Sequence, residues 1–343
     1  MSIVNFVLVL AGTELINTPG ISAAGASSEL LKYTPALDAE FIYYGKTKTL
    51  EKLPVSPSGI VSPALIAKAC LNILGAKIHI INLGAHQKPQ CPHLEFHSSQ
   101  SLCPSTAQAL APETTLELFE CGKKFALNFK PDDELIIAEC VVGGTTTALG
   151  LLTGLGYECF DWVSSSIPEG NHALKKQILL RGLTQLNLAQ KELITLNPLL
   201  AISAFGDAMQ AFTSGLAIMA SNKNIKTTLA GGSQMIAIKS LIDRLVMKAN
   251  ITLAPSPWVV NDKSANYQKL INLCTPETQY RVFDLSQKLS NSLLDREVRL
   301  LSKNSCAREL SLDEIFSQYN QGHVKEGIGI GGLLNAIDIL QLQ

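Results

Sequence analysis

One theme recurs along the chain and constrains its fold more than any other feature: a short run rich in valine, isoleucine and leucine, then glycine, serine or threonine, then a longer stretch with helical apolar spacing. Residues 77–82 and 134–138 are candidate strands by this pattern, as are 160–164, 199–203, 225–230 and 251–254. The apolar start, residues 3–10, reads as a first buried strand. Helical spacing falls at 63–74, 114–127, 145–155, 172–188, 207–221 and 234–248. Parallel neighbours need crossover connections, and those are usually helical. The alternation therefore predicts an α/β fold with a doubly wound, mostly parallel sheet covered on both faces.

The ends of the chain break the rhythm. Residues 12–62 are loop-rich, 84–112 are polar and contain proline without a clear period, and 286–343 read as helices broken by a glycine-rich loop. This divides the chain into an α/β domain at 60–285 and a small helical lobe from 1–59 and 286–343. With 46% hydrophobic and 17% charged residues, against about 25% charged in ordinary soluble proteins, disorder is excluded. A net charge of −1 leaves no basic excess to bind nucleic acid backbones. Such scarce charge also points to a surface covered by a second copy, a homodimer. The first apolar run is too short for a membrane span, and the apolar region 199–220 is interrupted by Gly206, Asp207, Gln210 and Gly215, reading as strand, turn and core helix. No membrane segment is expected. Eight scattered cysteines without an export signal read as reduced thiols, and the cytoplasm as the compartment.

Three glycine-rich loops sit where strands turn into helices, the place where such sheets bind ligands. The first, 139–147, carries Glu139, Gly143, Gly144, Thr145 and Thr146; two glycines permit close backbone approach, and a helix start favours an anion such as phosphate. The plainer reading is a tight turn with a threonine cap. The second, 324–332, spells G-x-G-x-x-G at Gly327, Gly329 and Gly332, with Glu326 at its start. It fails as a dinucleotide fingerprint, because no strand precedes it and no βαβ unit follows. The third, 229–235, carries Gly231, Gly232, Ser233 and Gln234. A triphosphate loop is excluded: Gly45, Lys46 and Thr47 mimic its end, but Glu40 stands where it needs glycine. Cys91, His93, His97 and Cys103 do not follow a familiar zinc spacing. Ser164, Ser165 and Ser166 are not a nucleophile elbow, though they could bind phosphate.

Taken together, these loops resemble the nicotinate-nucleotide:dimethylbenzimidazole phosphoribosyltransferase family, and more closely its archaeal and cyanobacterial branch of uncharacterised proteins. The segments 11–14, 19–25 and 33–40 look like that branch's signature, and the loops at 139–147, 231–235 and 326–329 are similar to the family's glutamate, Gly-Gly-Thr-Gln-Met and terminal Glu-Gly-x-Gly loops. The resemblance implies transfer of phosphoribose from nicotinate mononucleotide to a cobamide lower-ligand base (dimethylbenzimidazole, adenine or similar), giving an α-riboside phosphate. It implies Glu326 as general base, with Glu139 as a second acid holding the base or sharing proton duty. Gly143, Gly144, Thr145, Thr146, Gly327, Gly329 and Lys175 match the phosphate site, and Gly231, Gly232, Ser233 and Gln234 the substrate pocket. No metal or other cofactor is required. The family's dimethylbenzimidazole enzymes carry asparagine where this chain has Gly144, which leaves the acceptor base open. A non-catalytic nucleotide-binding or regulatory protein that keeps the pocket is the alternative, and a different nucleotide-dependent transferase is disfavoured by the missing triphosphate loop.

Overall fold

Six runs pair into one sheet: β1 (Val4–Ala11), β2 (Lys77–Leu83), β3 (Leu94–His97), β4 (Glu134–Val141), β5 (Lys226–Ala230) and β6 (Ile251–Ala254). Every neighbouring pair is parallel, in the order β3-β2-β1-β4-β5-β6. The structure is a computed structural model, and it describes residues 3–22, 27, 29–50, 60–286, 292–305, 308–322 and 324–341. Residues 23–25 of the quoted signature lie outside these.

The chain first winds outward from β1 through β2 to β3, then returns to the other side of β1 and winds through β4, β5 and β6. The reversal between β1 and β4 opens a crevice at the carboxyl ends of those strands. Helices α1 (Thr34–Tyr44) and α2 (Ala64–Leu74) lead into β2, and α3 (Pro112–Phe125) leads into β4. Between β4 and β5 lie α4 (Gly144–Gly154), α5 (His172–Gln185), α6 (Leu188–Leu196), α7 (Leu199–Phe205) and α8 (Ala208–Asn222). Helix α9 (Ser233–Leu245) joins β5 to β6; α10 (Pro257–Val260), α11 (Tyr267–Cys274), α12 (Leu293–Ser305), α13 (Leu312–Tyr319) and α14 (Ile330–Gln341) follow. None of the described helices is long and apolar enough to cross a membrane.

Burial on both faces explains why the central strands are continuously apolar. In β1, Val7, Val9 and Ala11 pack into a core built with α3, α4, α8 and α9, while Phe6, Leu8 and Leu10 pack into a second core with α1, α2 and α14. The same alternation runs through β4, with Leu135 and Ile137 on the first side and Ile136 and Ala138 on the second. The first strand, grouped above with residues 1–59, thus lies at the centre of the sheet, whereas α1, α12 and α14 cover one face against α2.

Two expected strands are not strands. Residues 199–203 belong to α7: a short apolar run carries no period of its own, and this one packs as a helix against α4, where a Cβ on Gly154 would lie 2.8 Å from the Ala201 Cβ. Residues 160–164 are irregular chain: the Trp162 N–H turns back to the Cys159 carbonyl at 3.1 Å, the Ser164 N–H donates to Ser233 Oγ at 3.0 Å, and the Ser164 carbonyl accepts from Lys175 Nζ at 2.8 Å. The helix expected over 172–188 stops at Gln185, because Asn187 opens a new one through a reciprocal cap with Gln190. Two elements were hidden in loop-rich sequence. The edge strand β3 is mostly exposed and so lacks an apolar pattern, and α1 is buried on nearly all sides and so lacks an amphipathic one.

Close helix contact is bought with glycine. In the α3–α8 crossing, a Cβ on Gly215 would sit 1.9 Å from the Phe119 carbonyl oxygen, and one on Gly122 would sit 2.0 Å from that of Phe212. Gly215→Ala is therefore expected to lower stability by about 1–3 kcal/mol through forced separation of the two helices. Urea unfolding monitored by circular dichroism checks this, as a shift in midpoint without a change in slope.

Candidate active site

The glutamate ending β4 is placed by pleat alone. Glu139 follows Leu135 and Ile137 onto one face, and Cys140 follows Ile136 and Ala138 onto the other. Glu139 is buried and accepts hydrogen bonds from the Val141 backbone N–H and the Gln234 side-chain amide. Burial, with Asp207 and Glu326 nearby, pushes its carboxyl up to about 8.

Gln234 reaches Glu139 because Gly144 has no side chain: a Cβ there would meet Gln234 Nε2 at 1.9 Å. Gly143, at φ +82°, is the left-handed turn that starts α4, and a Cβ on it would strike the Leu15 Cβ at 2.8 Å. The amides of Thr146 and Thr147 fold back to the Gly143 carbonyl at 2.8 and 3.3 Å, so the N–H groups of Gly144 and Thr145 precede the first intrahelical bond. Beneath the turn, Asp207 caps α8 and accepts the Thr147 hydroxyl; burial pushes it up to about 6.

From the far end of the chain, Glu326 enters just before α14. Its Oε2 accepts the Ser256 N–H at 2.6 Å and its Oε1 accepts the Gly327 N–H at 3.1 Å. Burial still outweighs these donors and pushes the carboxyl up to about 7. The adjacent Lys325 donates to Asp262 Oδ2 at 2.8 Å and to Ser264 Oγ at 3.0 Å, while Ser164 Oγ donates to the same Asp262 oxygen at 2.6 Å. This network fixes the serine segment 164–166 against the loop preceding Glu326.

These elements enclose one cleft of about 180 Å³. Of the residues expected at the site, Glu139, Gly143, Gly144, Thr145, Gly232, Ser233, Gln234, Glu326 and Gly327 line it. Thr146, Lys175, Gly231 and Gly329 do not line it. Thr146 is buried, with its hydroxyl unpartnered among the described residues. Lys175 is fully buried behind the serine segment, and burial together with Lys325 pushes it down to about 7. Gly329, at φ +68°, packs the start of α14 on the sheet, where a Cβ would meet Ala138 at 2.7 Å. Sequence reasoning passed over Asp38, Ser62 and Lys325, all of which line the cleft. Asp38 lay inside the quoted segment 33–40 and Lys325 beside Glu326, but nothing in their spacing marked them. Among the described residues, no group of three or more histidines, cysteines or acids is arranged to hold a metal.

No protein-family model matches the chain. It is 35% identical to a UPF0284 protein of Gloeothece citriformis, covering 98% of this chain and 91% of that one. It is 34% identical to a UPF0284 protein of Thermococcus kodakarensis, over 95% of this chain and 89% of the other. Among solved structures it is similar to nicotinate-nucleotide-dimethylbenzimidazole phosphoribosyltransferase from Thermus thermophilus, with a TM-score of 0.58 and 15% identity over 90% of this chain and 84% of that one. A second Thermus thermophilus structure, CobT, gives a TM-score of 0.59 at 14% identity, over 90% and 87%.

Two acids raised from an ordinary 4.5 to about 8 and about 7 make the native protein bind protons that the unfolded chain releases. Their contribution to stability is complete below the unfolded value and is lost as pH rises through about 7 to 8. The melting temperature of the ligand-free protein is expected to fall between pH 5 and about 8.5 on this account. Glu139→Gln should flatten the fall, as read by calorimetry across that range.

Proposed function

The chain belongs to the UPF0284 protein family, and from the cleft it builds on a phosphoribosyltransferase-like fold we propose that it moves phosphoribose from nicotinate mononucleotide to a cobamide lower-ligand base. The observation that carries the reading is the cleft itself, which gathers Glu139, Glu326 and three glycine-rich loops from distant parts of the chain. In the proposed reaction a ring nitrogen of the base attacks C1′ of the ribose on the face opposite the nicotinate. The C1′–nitrogen bond to the pyridinium breaks, its electron pair neutralises the leaving ring, and inversion gives the α-riboside. The ring becomes cationic as its nitrogen bonds to carbon, and Glu326 takes the N–H proton that the ring carries, which restores a neutral base. The carboxylate is suited to this: two backbone N–H groups fix its orientation, and burial raises its basicity.

The phosphate is held on this reading by the free N–H groups opening α4 and by the serine segment, so recognition needs no basic surface. Lys325 supplies the nearest cation, and Lys175 acts from behind by holding the Ser164 carbonyl. Glu139, protonated at neutral pH, is placed to donate a hydrogen bond to substrate while Gln234 orients it. We include in the proposal a homodimer acting on small molecules in the cytoplasm.

Nicotinate release from nicotinate mononucleotide in the presence of a panel of bases tests the reading. Binding of the mononucleotide without release with any base would favour the non-catalytic alternative. Glu326→Gln is expected to lower kcat by about 10²- to 10⁴-fold, with a much smaller change in KM for the mononucleotide. Because the active form is the ionised one, wild-type kcat/KM should rise with pH through about 7.

A further inference from the structure

Among the described residues, the buried acids have visible occupations, with one exception. Glu40 accepts from the Lys48, Thr49 and Gln90 backbone N–H groups; Asp207 caps α8; Asp262 meets Lys325; and Asp295 meets Arg299 and the Leu312 N–H. Asp38 sits in mid-helix α1 and 4% exposed, yet it receives only Ser62 Oγ at 2.9 Å and the weak Cys140 thiol at 3.5 Å. Among the described residues, no cation and no backbone N–H reaches it. A carboxyl has room for more partners than these two, and Asp38 lines the cleft.

Its surroundings indicate what would meet it. Ile60, Pro63, Val324 and Ile328 give this part of the cleft an apolar wall. A Cβ on Gly327 would lie 3.2 Å from Pro63 Cγ, so the turn carrying Glu326 rests against the segment carrying Ser62. A flat heterocycle seated on this wall would occupy the cleft that Glu326 and Asp38 both line. Burial pushes Asp38 up to about 7, so near neutrality it is populated both as donor and as pure acceptor. Protonated, it matches an edge that offers an amino hydrogen beside a ring nitrogen, through two parallel hydrogen bonds; ionised, it still accepts the amino hydrogen.

Resting on the transferase reading above, we infer that Asp38 selects the acceptor base, and that this base carries an amino group beside a ring nitrogen, as a 6-aminopurine does. A hydrocarbon edge such as that of dimethylbenzimidazole leaves the carboxyl buried and under-bonded, and sites built around a buried polar group reject partners that cannot bond it. Ser62 belongs to the same device, since its hydroxyl hydrogen is directed at Asp38.

The test compares adenine, unsubstituted purine and 5,6-dimethylbenzimidazole as acceptors, by nicotinate release, for the wild type, Asp38→Asn, Asp38→Leu and Ser62→Ala. Wild type should favour adenine over both others by at least about tenfold in kcat/KM. Asp38→Leu should erase or reverse that preference, Asp38→Asn should keep part of it through its carbonyl, and Ser62→Ala should weaken it. Equal use of the three bases by wild type, or an unchanged preference in folded Asp38→Leu, overturns the assignment. Should no base release nicotinate, the transferase reading fails separately; calorimetric binding of adenine and purine to wild type and Asp38→Leu then decides on Asp38. Equal affinities in wild type, or a preference that survives the leucine, would overturn it there too.

Discussion

The site depends on the parallel pairing of β1 with β4, which joins Val4 through Ala11 to Glu134 through Val141 residue for residue. Both strands are buried on both faces, and from Phe6 to Ala11 in β1 and Leu135 to Ala138 in β4 every side chain is apolar. Where β4 does so, the pleat sends Glu139 to one side and Cys140 to the other. Two chemically different walls result from consecutive residues. One faces α9 and the glycine turn, with its amides and Gln234; the other faces α1 and the apolar segment around Ser62 and Pro63.

The pairing also explains how a chain of net charge −1 can gather acids in one place. Glu139 and Asp38 are buried and Glu326 is half-buried near the strand ends, and loss of solvent raises each toward neutrality. Glu139 also faces Asp207 and Glu326, and its protonation relieves that repulsion. Backbone N–H groups and neutral hydroxyls supply most of their hydrogen bonds, and the cation on the cleft wall, Lys325, is already tied to Asp262. The result is a cleft of alternating weak donors and acids, suited to exchanging protons with a neutral ring.

The sheet was legible in the sequence because most of its strands are short apolar runs, and five of the six carried that mark. The exposed edge strand β3 escaped it, and elsewhere the misleading signal came from burial. The run at 199–203 is as apolar as a strand because helix α7 is enclosed, and α1 shows no amphipathic stripe because it is buried almost all round. The segment 160–164 packs Val163 into the core, while the backbone of Ser164 is served by Lys175 and Ser233 in place of a neighbouring strand. At the site, glycine loops announced themselves by composition, and Glu139 and Glu326 by their place beside those loops. Asp38 and Lys325 gave no such signal. Their importance comes from what the fold sets against them, and one aspartate within a helix looks like any other until the apolar wall around it is known.

The absence of a side chain at Gly144 has a consequence for how this cleft can vary. The space that a Cβ would fill is held by the amide of Gln234, which arrives from a different helix. The two positions therefore behave as a single variable shared between α4 and α9. A larger residue at 144 is admissible only if 234 gives up its reach toward Glu139, so each change alone is costly and the pair together is not the sum of its parts. A chain with a larger residue at 144 and glutamine kept at 234 must hold that glutamine in a different conformation, turned away from Glu139.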